Sequence, residues 1–193
     1  MKKLLVLGVL AVVAAGCGGS KKPAVAYRGT DMNPPQAAPN FTLTDQSGRK
    51  VSLADERGHY AVVTFLYTHC PDVCPVIAGN LNRVLQMPIA HRTGLRVLAV
   101  SVDPKRDTPT AVKHFVAVHR LVPAFRYLMG THAQLAPVWR SYHIAAAPLQ
   151  NGTIAHSTFE ILVDPQGRER LIYDAAATPA DFAHDLAILD SNA

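Results

Sequence analysis

The stretch FLYTHCPDVCP, from Phe65 to Pro75, places two cysteines four residues apart, directly after an apolar run. The preceding residues, YAVVTFLYT, are rich in β-branched and aromatic side chains, which is typical of a strand buried on both faces of a sheet. After the cysteines, apolar residues recur at helical spacing as far as Leu85, so the sequence predicts a helix that Pro88 ends. Cys70 and Cys74 therefore lie where a buried strand passes into a helix.

A strand-to-helix junction changes the chemistry of a thiol. Unpaired N–H groups and the helix dipole favour an anion there, so we expect the pKa of Cys70 to be lowered. Pro71 suits the first helical position, and residues i and i+4 share a helical face, so both sulfurs should point the same way. The spacing alone leaves three interpretations open: a structural disulfide, a redox-active pair, or part of a metal site.

The rest of the chain alternates strand and helix patterns. FTLTD and KVSLAD flank a turn containing glycine and predict a hairpin near the N-terminal end of the domain. LRVLAVSVD predicts a second buried strand, and FRYLMG, TFEILVD and RLIYDA predict three more, of which the last two form a hairpin. Thr108, Thr131 and Thr178 have the chemistry of helix N-caps. Together these patterns predict one α/β domain with a mixed sheet.

The N-terminal residues MKKLLVLGVLAVVAAGC have the shape of a secretory signal, with two lysines, an apolar run and small residues before Cys17. VAAGC resembles a bacterial lipobox, which implies cleavage before Cys17 and acylation of its thiol. The sequence predicts a signal peptide over residues 1–16, a flexible tether over 17–39 and a folded domain over 40–193. The protein should be exported into a bacterial cell envelope and anchored to a membrane by lipid, with the domain outside the cytoplasm.

Composition narrows the classes of function. The net charge is +5, and removal of Lys2 and Lys3 with the signal leaves 17 basic against 14 acidic residues. No basic cluster is interleaved with aromatic residues, so nucleic acid is not expected as a partner. If Cys17 carries lipid, Cys70 and Cys74 are the two thiols that remain.

Two of the nine histidines are candidates for the chemistry of the cysteines. His69 is adjacent to Cys70, but adjacent residues rarely face the same ion. His156 lies in a loop immediately before a predicted strand, at an edge where an α/β sheet can bring a loop beside a helix N-terminus. A structural zinc site needs four protein ligands, so two thiols alone would not complete one.

Three segments, TFLYTHCPDVCP, SVDPKRDTP and AHSTFEILVDPQGR, resemble in this order the Sco/SenC family of copper-binding proteins. The resemblance implies a thioredoxin-like mixed sheet flanked by helices, with an added N-terminal β-hairpin. It also implies that Cys70, Cys74 and His156 bind copper, as Cu(I) or Cu(II). In the family this copper is delivered to, or kept reduced for, the copper centre of cytochrome c oxidase.

The chain departs from the family pattern just before this histidine. Many members carry an acidic residue there, whereas this chain has Ala155, so another group must orient the imidazole of His156. Asp72, Asp103 and Asp107 lie near the predicted site in sequence or by the resemblance, and we place none of them among the direct ligands.

The leading hypothesis is a membrane-tethered copper chaperone, with the copper-receiving subunit of cytochrome c oxidase as a partner. Other copper proteins or thiol–disulfide proteins are further candidate partners. The alternative is a thiol–disulfide oxidoreductase, with Cys70 as the attacking thiolate and Cys74 as the resolving thiol. A thiol peroxidase ranks last, because no arginine lies near Cys70 in sequence.

Overall fold

A computed structural model describes residues 26–148 and 153–192. The predicted signal peptide, the predicted lipid site at Cys17 and the tether up to residue 25 lie outside the described residues. The strands are β1 (Thr30–Ala37), β2 (Thr42–Asp45), β3 (Lys50–Ser52), β4 (Ala61–Leu66), β5 (Arg96–Ser101), β6 (Phe125–Met129), β7 (Ala146–Pro148), β8 (Ile154–His156), β9 (Phe159–Val163) and β10 (Arg168–Asp174).

An eight-stranded sheet forms the centre of the domain, with the strand order β1-β10-β9-β4-β5-β6-β2-β3. A separate two-stranded sheet joins β7 to β8.

The middle of the sheet is parallel and buried. β4 pairs with β5, and β5 pairs with β6, in parallel register. All six residues of β4 are buried, as the unbroken apolar sequence predicts for a strand covered on both faces. Because the three strands run in the same direction, their carboxyl ends meet at one edge, and the loop with Cys70 and the loop with SVDPKRDTP both begin there.

The outer strands are antiparallel. β9 pairs with β4 on one side and with β10 on the other, which confirms the predicted C-terminal hairpin. β2 and β3 form the predicted N-terminal hairpin, and β2 also pairs with β6 at the far edge of the sheet. The predicted mixed α/β architecture is therefore confirmed.

Five α-helices and one short 3-10 helix (Leu53–Glu56) flank the described sheet. α1, α2 and α5 pack against one another. The hydroxyls of Thr108, Thr131 and Thr178 each accept a hydrogen bond from a backbone N–H in the first turn of a helix, as their sequences predict. The helices are α1 (Val73–Leu85), α2 (Pro88–Thr93), α3 (Pro109–Val118), α4 (His132–Ser141) and α5 (Pro179–Ser191).

The domain begins earlier than the sequence predicts. Residues 30–37, assigned to the tether, form β1 and pair with β10 at the edge of the sheet. Prolines that would disrupt a central strand are tolerated here because an edge strand leaves some N–H groups unpaired. Just before β1, the backbone N–H groups of Arg28 and Gly29 donate to the buried carboxylate of Asp185 at 3.0 and 2.9 Å. The tether prediction is therefore wrong for residues 30–37.

The end of α1 agrees with the prediction, whereas its start does not. α1 ends at Leu85, the last residue of the predicted helical spacing, and Pro88 follows as the first residue of α2, where a missing N–H costs nothing. At its other end α1 begins at Val73, so Pro71 lies before the helix and not at its first position. The pairing of β7 with β8 has no counterpart in the prediction, because its strands of three residues are too short to show a period.

Candidate metal centre

The two cysteines lie on either side of the start of α1. Cys70 is in the loop after β4 and is 8% exposed, whereas Cys74 is in the first turn of the helix and is fully buried. Because Cys70 precedes the helix, the prediction that both residues share one helical face is wrong. The sulfurs are nevertheless close, since the N–H of Cys74 donates to Sγ of Cys70 at 3.4 Å. Both side chains are free thiols.

The sulfur of Cys70 acts as the cap of this helix. The side chain of Asp72, the N-cap residue, makes no capping hydrogen bond, and the N–H groups of Asp72 and Cys74 interact with the sulfur. Burial raises the pKa of Cys70, but hydrogen bonds from the Cys74 side chain and from these N–H groups outweigh it. The net pKa lies below its ordinary value, as the position at a helix N-terminus predicts.

Cys74 has the opposite electrostatics. Burial raises the pKa of Cys74 well above its ordinary value, and the hydrogen bond with Cys70 raises it further. The structure thus sets one thiol that readily loses its proton beside one that keeps it. A pair of this kind can hand a proton from one sulfur to the other, or release it when a metal binds.

His156 lies beside the cysteines although it is 82 residues beyond Cys74. It is the last residue of β8 and pairs with Ala146 of β7. This short sheet brings Nε2 of the imidazole to 4.0 Å from Sγ of Cys74. The structure therefore brings together Cys70, Cys74 and His156, the three residues that the family resemblance indicates.

The backbone next to His156 orients its imidazole. Nδ1 lies 2.9 Å from the carbonyl oxygen of Ser157, and because a carbonyl only accepts, Nδ1 must carry the proton. Burial lowers the pKa of His156, although the bond to Ser157 opposes this. The ring is thus neutral, with the lone pair of Nε2 on the side of the cysteines. Because the carbonyl of Ser157 orients the imidazole, no acidic side chain is needed at position 155, where this chain has Ala155.

Tyr67 is the residue of the site that the sequence did not indicate. Its ring meets the ring of His156 edge to face, with centroids 5.8 Å apart. Its hydroxyl accepts a hydrogen bond at 3.3 Å from the N–H of Ile154, on the same short strand as the histidine. In sequence, Tyr67 looks like one more apolar residue at the end of a buried strand, and that pattern carries no signal for its contacts.

The SVDPKRDTP loop supports the loop that carries Cys70. Asp107 accepts hydrogen bonds from the N–H and the hydroxyl of Thr68 at 2.9 and 2.7 Å. It also accepts from the hydroxyls of Ser101 and Tyr127 at 2.6 and 3.0 Å. Asp107 therefore holds the cysteine loop against β5 and β6, and within the described residues none of its hydrogen bonds reaches either sulfur.

The other candidates near the site lie outside the ligand cluster. Asp72 is exposed, and Asp103 forms an ion pair with Arg106. His69 is exposed, and its Nδ1 lies 3.0 Å from the hydroxyl of Thr68. Because that hydroxyl donates to Asp107, Nδ1 of His69 donates to it.

The donor set fits a soft metal ion after a small movement. Sulfur and imidazole ligands of one ion should be roughly 3.5–3.7 Å apart, from metal–ligand lengths near 2.3 and 2.0 Å and tetrahedral or trigonal angles. The observed 4.0 Å between Sγ of Cys74 and Nε2 of His156 is slightly longer. Accordingly, the described residues contain no group of three His, Cys, Asp or Glu side chains already closed around a metal position.

Comparison with known proteins places this arrangement in a family. A family model described as SCO1/SenC matches residues 30–189, which begin at the first residue of β1. The chain belongs to the SCO1/SenC family. This result confirms the resemblance seen in the sequence.

Individual members of the SCO1/SenC family match over most of the chain. A SCO2-like protein of Rickettsia typhi is 28% identical over 171 residues, which cover 86% of this chain and 83% of the relative. A mitochondrial SCO2 homolog of Bos taurus is 33% identical over 176 residues, covering 82% and 65%. The solved structure of Bradyrhizobium japonicum ScoI with copper bound is 33% identical, with a TM-score of 0.68, covering 79% and 98%. These matches confirm the predicted thioredoxin-like fold.

Proposed function

We propose that this protein binds copper through Cys70, Cys74 and His156 and serves the assembly of the copper centre of cytochrome c oxidase. One observation carries the proposal: Nε2 of a neutral imidazole lies 4.0 Å from the sulfur of Cys74, in a pair of free thiols. The copper-bound ScoI of Bradyrhizobium japonicum, at 33% identity, supports copper as the metal. Copper is the cargo of such a protein and not a resident cofactor.

The donor chemistry favours copper over zinc. Two thiolates with one imidazole form a soft set that suits Cu(I) and still accepts Cu(II), whereas structural zinc takes four protein ligands. Cys70 supplies the sulfur that deprotonates more easily, and Cys74 must release its proton when the metal binds. His156 offers Nε2 without any proton loss, because burial keeps the ring neutral.

A thiol–disulfide oxidoreductase is the second candidate. The lowered pKa of Cys70 and the raised pKa of Cys74 suit an attacking thiolate and a resolving thiol. Cys74 is fully buried, however, and the imidazole of His156 stands directly beside it. A thiol-exchange enzyme has no need of that imidazole, so its presence favours the metal site.

The proposed location is a bacterial cell envelope, with the protein tethered to a membrane by lipid on Cys17. The sequence before Cys17 supports export and acylation, and the residues between Cys17 and β1 supply a link to the domain. No helix within the described residues is long and apolar enough to span a membrane. The proposed partner is the copper-receiving subunit of the oxidase, met on the outer side of the membrane.

Removal of the imidazole alone tests the function. His156→Ala should fold and keep the Cys70–Cys74 redox couple, because the residue ends a two-stranded sheet outside the main core. Copper affinity should fall by at least the ~10–100-fold that loss of even an indirect metal contact costs. The measurement is competition for Cu(I) against a chromophoric chelator, with oxidase assembly followed in cells.

His91→Ala is the matched control, since His91 is exposed on α2. The control should bind copper like the parent and support oxidase assembly. Parent-like copper binding and assembly by His156→Ala would contradict the metal site. In that case, strong reduction of a substrate disulfide by the parent would establish the oxidoreductase instead.

A further inference from the structure

Tyr67 connects the two separate parts of the proposed metal site. Cys70 and Cys74 belong to the junction of β4 and α1, whereas His156 belongs to the β7–β8 sheet, which within the described residues shares no strand pairing with the main sheet. Tyr67 follows β4 directly and is 3% exposed. Its hydroxyl accepts a hydrogen bond at 3.3 Å from the N–H of Ile154, two residues before His156.

The β7–β8 sheet needs such a connection. A two-stranded sheet of three residues a strand is at best marginally stable alone, so its position depends on contacts with the rest of the domain. Tyr67 supplies two of them, the hydrogen bond to Ile154 and the edge-to-face contact with the ring of His156. The guanidinium of Arg106 lies over the Tyr67 ring at 5.9 Å and helps to hold that ring in place.

The same residue also belongs to the loop that carries the cysteines. The backbone N–H of Cys70 donates to the carbonyl oxygen of Tyr67 at 3.3 Å, so the two residues are held in one turn. Tyr67 is therefore bonded through its backbone to the cysteine loop and through its hydroxyl to the histidine strand.

We propose that Tyr67 is a positioning residue that sets the separation between the cysteine pair and His156. This inference rests on the proposed copper site. Its hydroxyl ties β8 to the cysteine loop, and its ring fixes the tilt of the imidazole. Without the hydroxyl, all three ligand side chains are still present, but the distance between the cysteine pair and the histidine is no longer fixed.

Tyr67→Phe tests the proposal, because it removes the hydroxyl and keeps the ring. Tyr173→Phe is the matched control, since Tyr173 is equally buried and its hydroxyl donates to Asp185 at 3.0 Å, on β10 away from the cysteines. Both variants lose one buried hydroxyl, so a general loss of stability would appear in both. The protein used is the full chain, in its reduced metal-free and copper-loaded forms.

Two readouts separate positioning from stability. In the metal-free protein, the N–H of Ile154 should exchange with solvent at least tenfold faster in Tyr67→Phe than in the parent. Affinity for Cu(I) should fall by roughly 10–100-fold, the usual cost of removing a group that supports a metal ligand. Tyr173→Phe should match the parent in both.

The outcomes distinguish this inference from the function on which it rests. If Tyr67→Phe matches the parent in Ile154 exchange, or binds copper as tightly as the parent, the positioning role is wrong while the copper site stands. If the parent binds no copper, the proposed function is wrong. Ile154 exchange then still decides whether the hydroxyl holds β8.

Discussion

At the scale of single residues, the site depends on two thiols with opposite environments. The sulfur of Cys70 accepts hydrogen bonds from N–H groups at the start of α1. The side chain of Cys74, in the first turn of the same helix, is fully buried. The sequence predicts the lowered pKa of Cys70, because a strand-to-helix junction has a general electrostatic effect. It does not predict the raised pKa of Cys74, because burial at one helical position depends on what packs over it.

Oxidation of the two thiols should block copper binding. The contact of 3.4 Å between the Cys74 N–H and Sγ of Cys70 keeps the side chains close enough for a reversible intramolecular disulfide. A disulfide offers no thiolate, so copper uptake should depend on reductant. Copper titration of verified disulfide and dithiol forms measures this, with the disulfide re-reduced as a control. Equal uptake by the two forms would refute the prediction.

Glu160 is a buried acid outside the site. It is 2% exposed on β9, and its Oε1 has no hydrogen-bond partner within the described residues. Burial raises the pKa of Glu160 from 4.5 to about 8, with a smaller contribution from the charge of Asp174. The folded protein therefore holds a proton between these pH values that the unfolded chain has released.

Stability should consequently fall with rising pH. The contribution of Glu160 is fully present below about pH 4.5 and is lost as the pH rises through about 8. Glu160→Gln cannot ionise, so relative to the parent it should gain stability across this window, on the order of a few kcal/mol by pH 9. Urea unfolding at pH 5 and pH 9 measures the gain, with exposed Asp31→Asn as the control. A difference from the parent that is the same at both pH values would disprove the assignment.

At the scale of elements, the sequence predicts strands and helices well where one local pattern decides them. The unbroken apolar runs of β4 and β5 and the capping threonines of α3, α4 and α5 are confirmed. β1 is missed because its polar, proline-containing sequence shows no period, and pairing with β10 alone makes it a strand. Long-range pairing of this kind leaves no local signal.

Asp185 of α5 should be critical for docking the start of the domain. Its carboxylate is fully buried and accepts hydrogen bonds from two N–H groups before β1 and from Tyr173. Asp185→Asn keeps the size but loses the charge, which should lower the free energy of unfolding by on the order of 2 kcal/mol. Urea unfolding measures this loss. Limited proteolysis should show faster cleavage within residues 26–37.

Asp31→Asn is again the matched control, because Asp31 is an exposed acid on β1 itself. It should leave both stability and the proteolysis pattern close to those of the parent. Parent-like behaviour of Asp185→Asn would mean that pairing with β10 holds β1 without the help of α5.

At the scale of the whole molecule, the site assembles from segments far apart in sequence. The spacing of the two cysteines identifies them as candidate ligands. His156 is identified as a ligand only by the family resemblance, since no local pattern joins it to Cys74 over 82 residues. The sequence gives no signal for the roles of Tyr67 and Ser157. The contact of the Tyr67 hydroxyl with β8 and the contact of the Ser157 carbonyl with His156 both depend on how β8 is folded back. The chemistry of the ligands was predictable, and their positioning was not.

The N-terminal region leads to a prediction for the molecule in its membrane. We expect the mature chain to begin at Cys17 with a diacylglyceryl group on its thiol, because VAAGC resembles a lipobox. Intact mass spectrometry of membrane-extracted protein should show this adduct, and Cys17→Ser should abolish it. A mature protein with a free Cys17 thiol would rule out the lipid anchor.

X-ray absorption at the copper edge is the most direct test of the central claim that Cys70, Cys74 and His156 bind one copper ion together. The reduced full chain, loaded with one equivalent of Cu(I), should give a first coordination sphere of two sulfurs and one imidazole nitrogen. His156→Ala should keep the sulfurs and lose the scattering pattern of the imidazole. A sphere with fewer than two sulfurs, or an imidazole signal that persists in His156→Ala, would contradict the account.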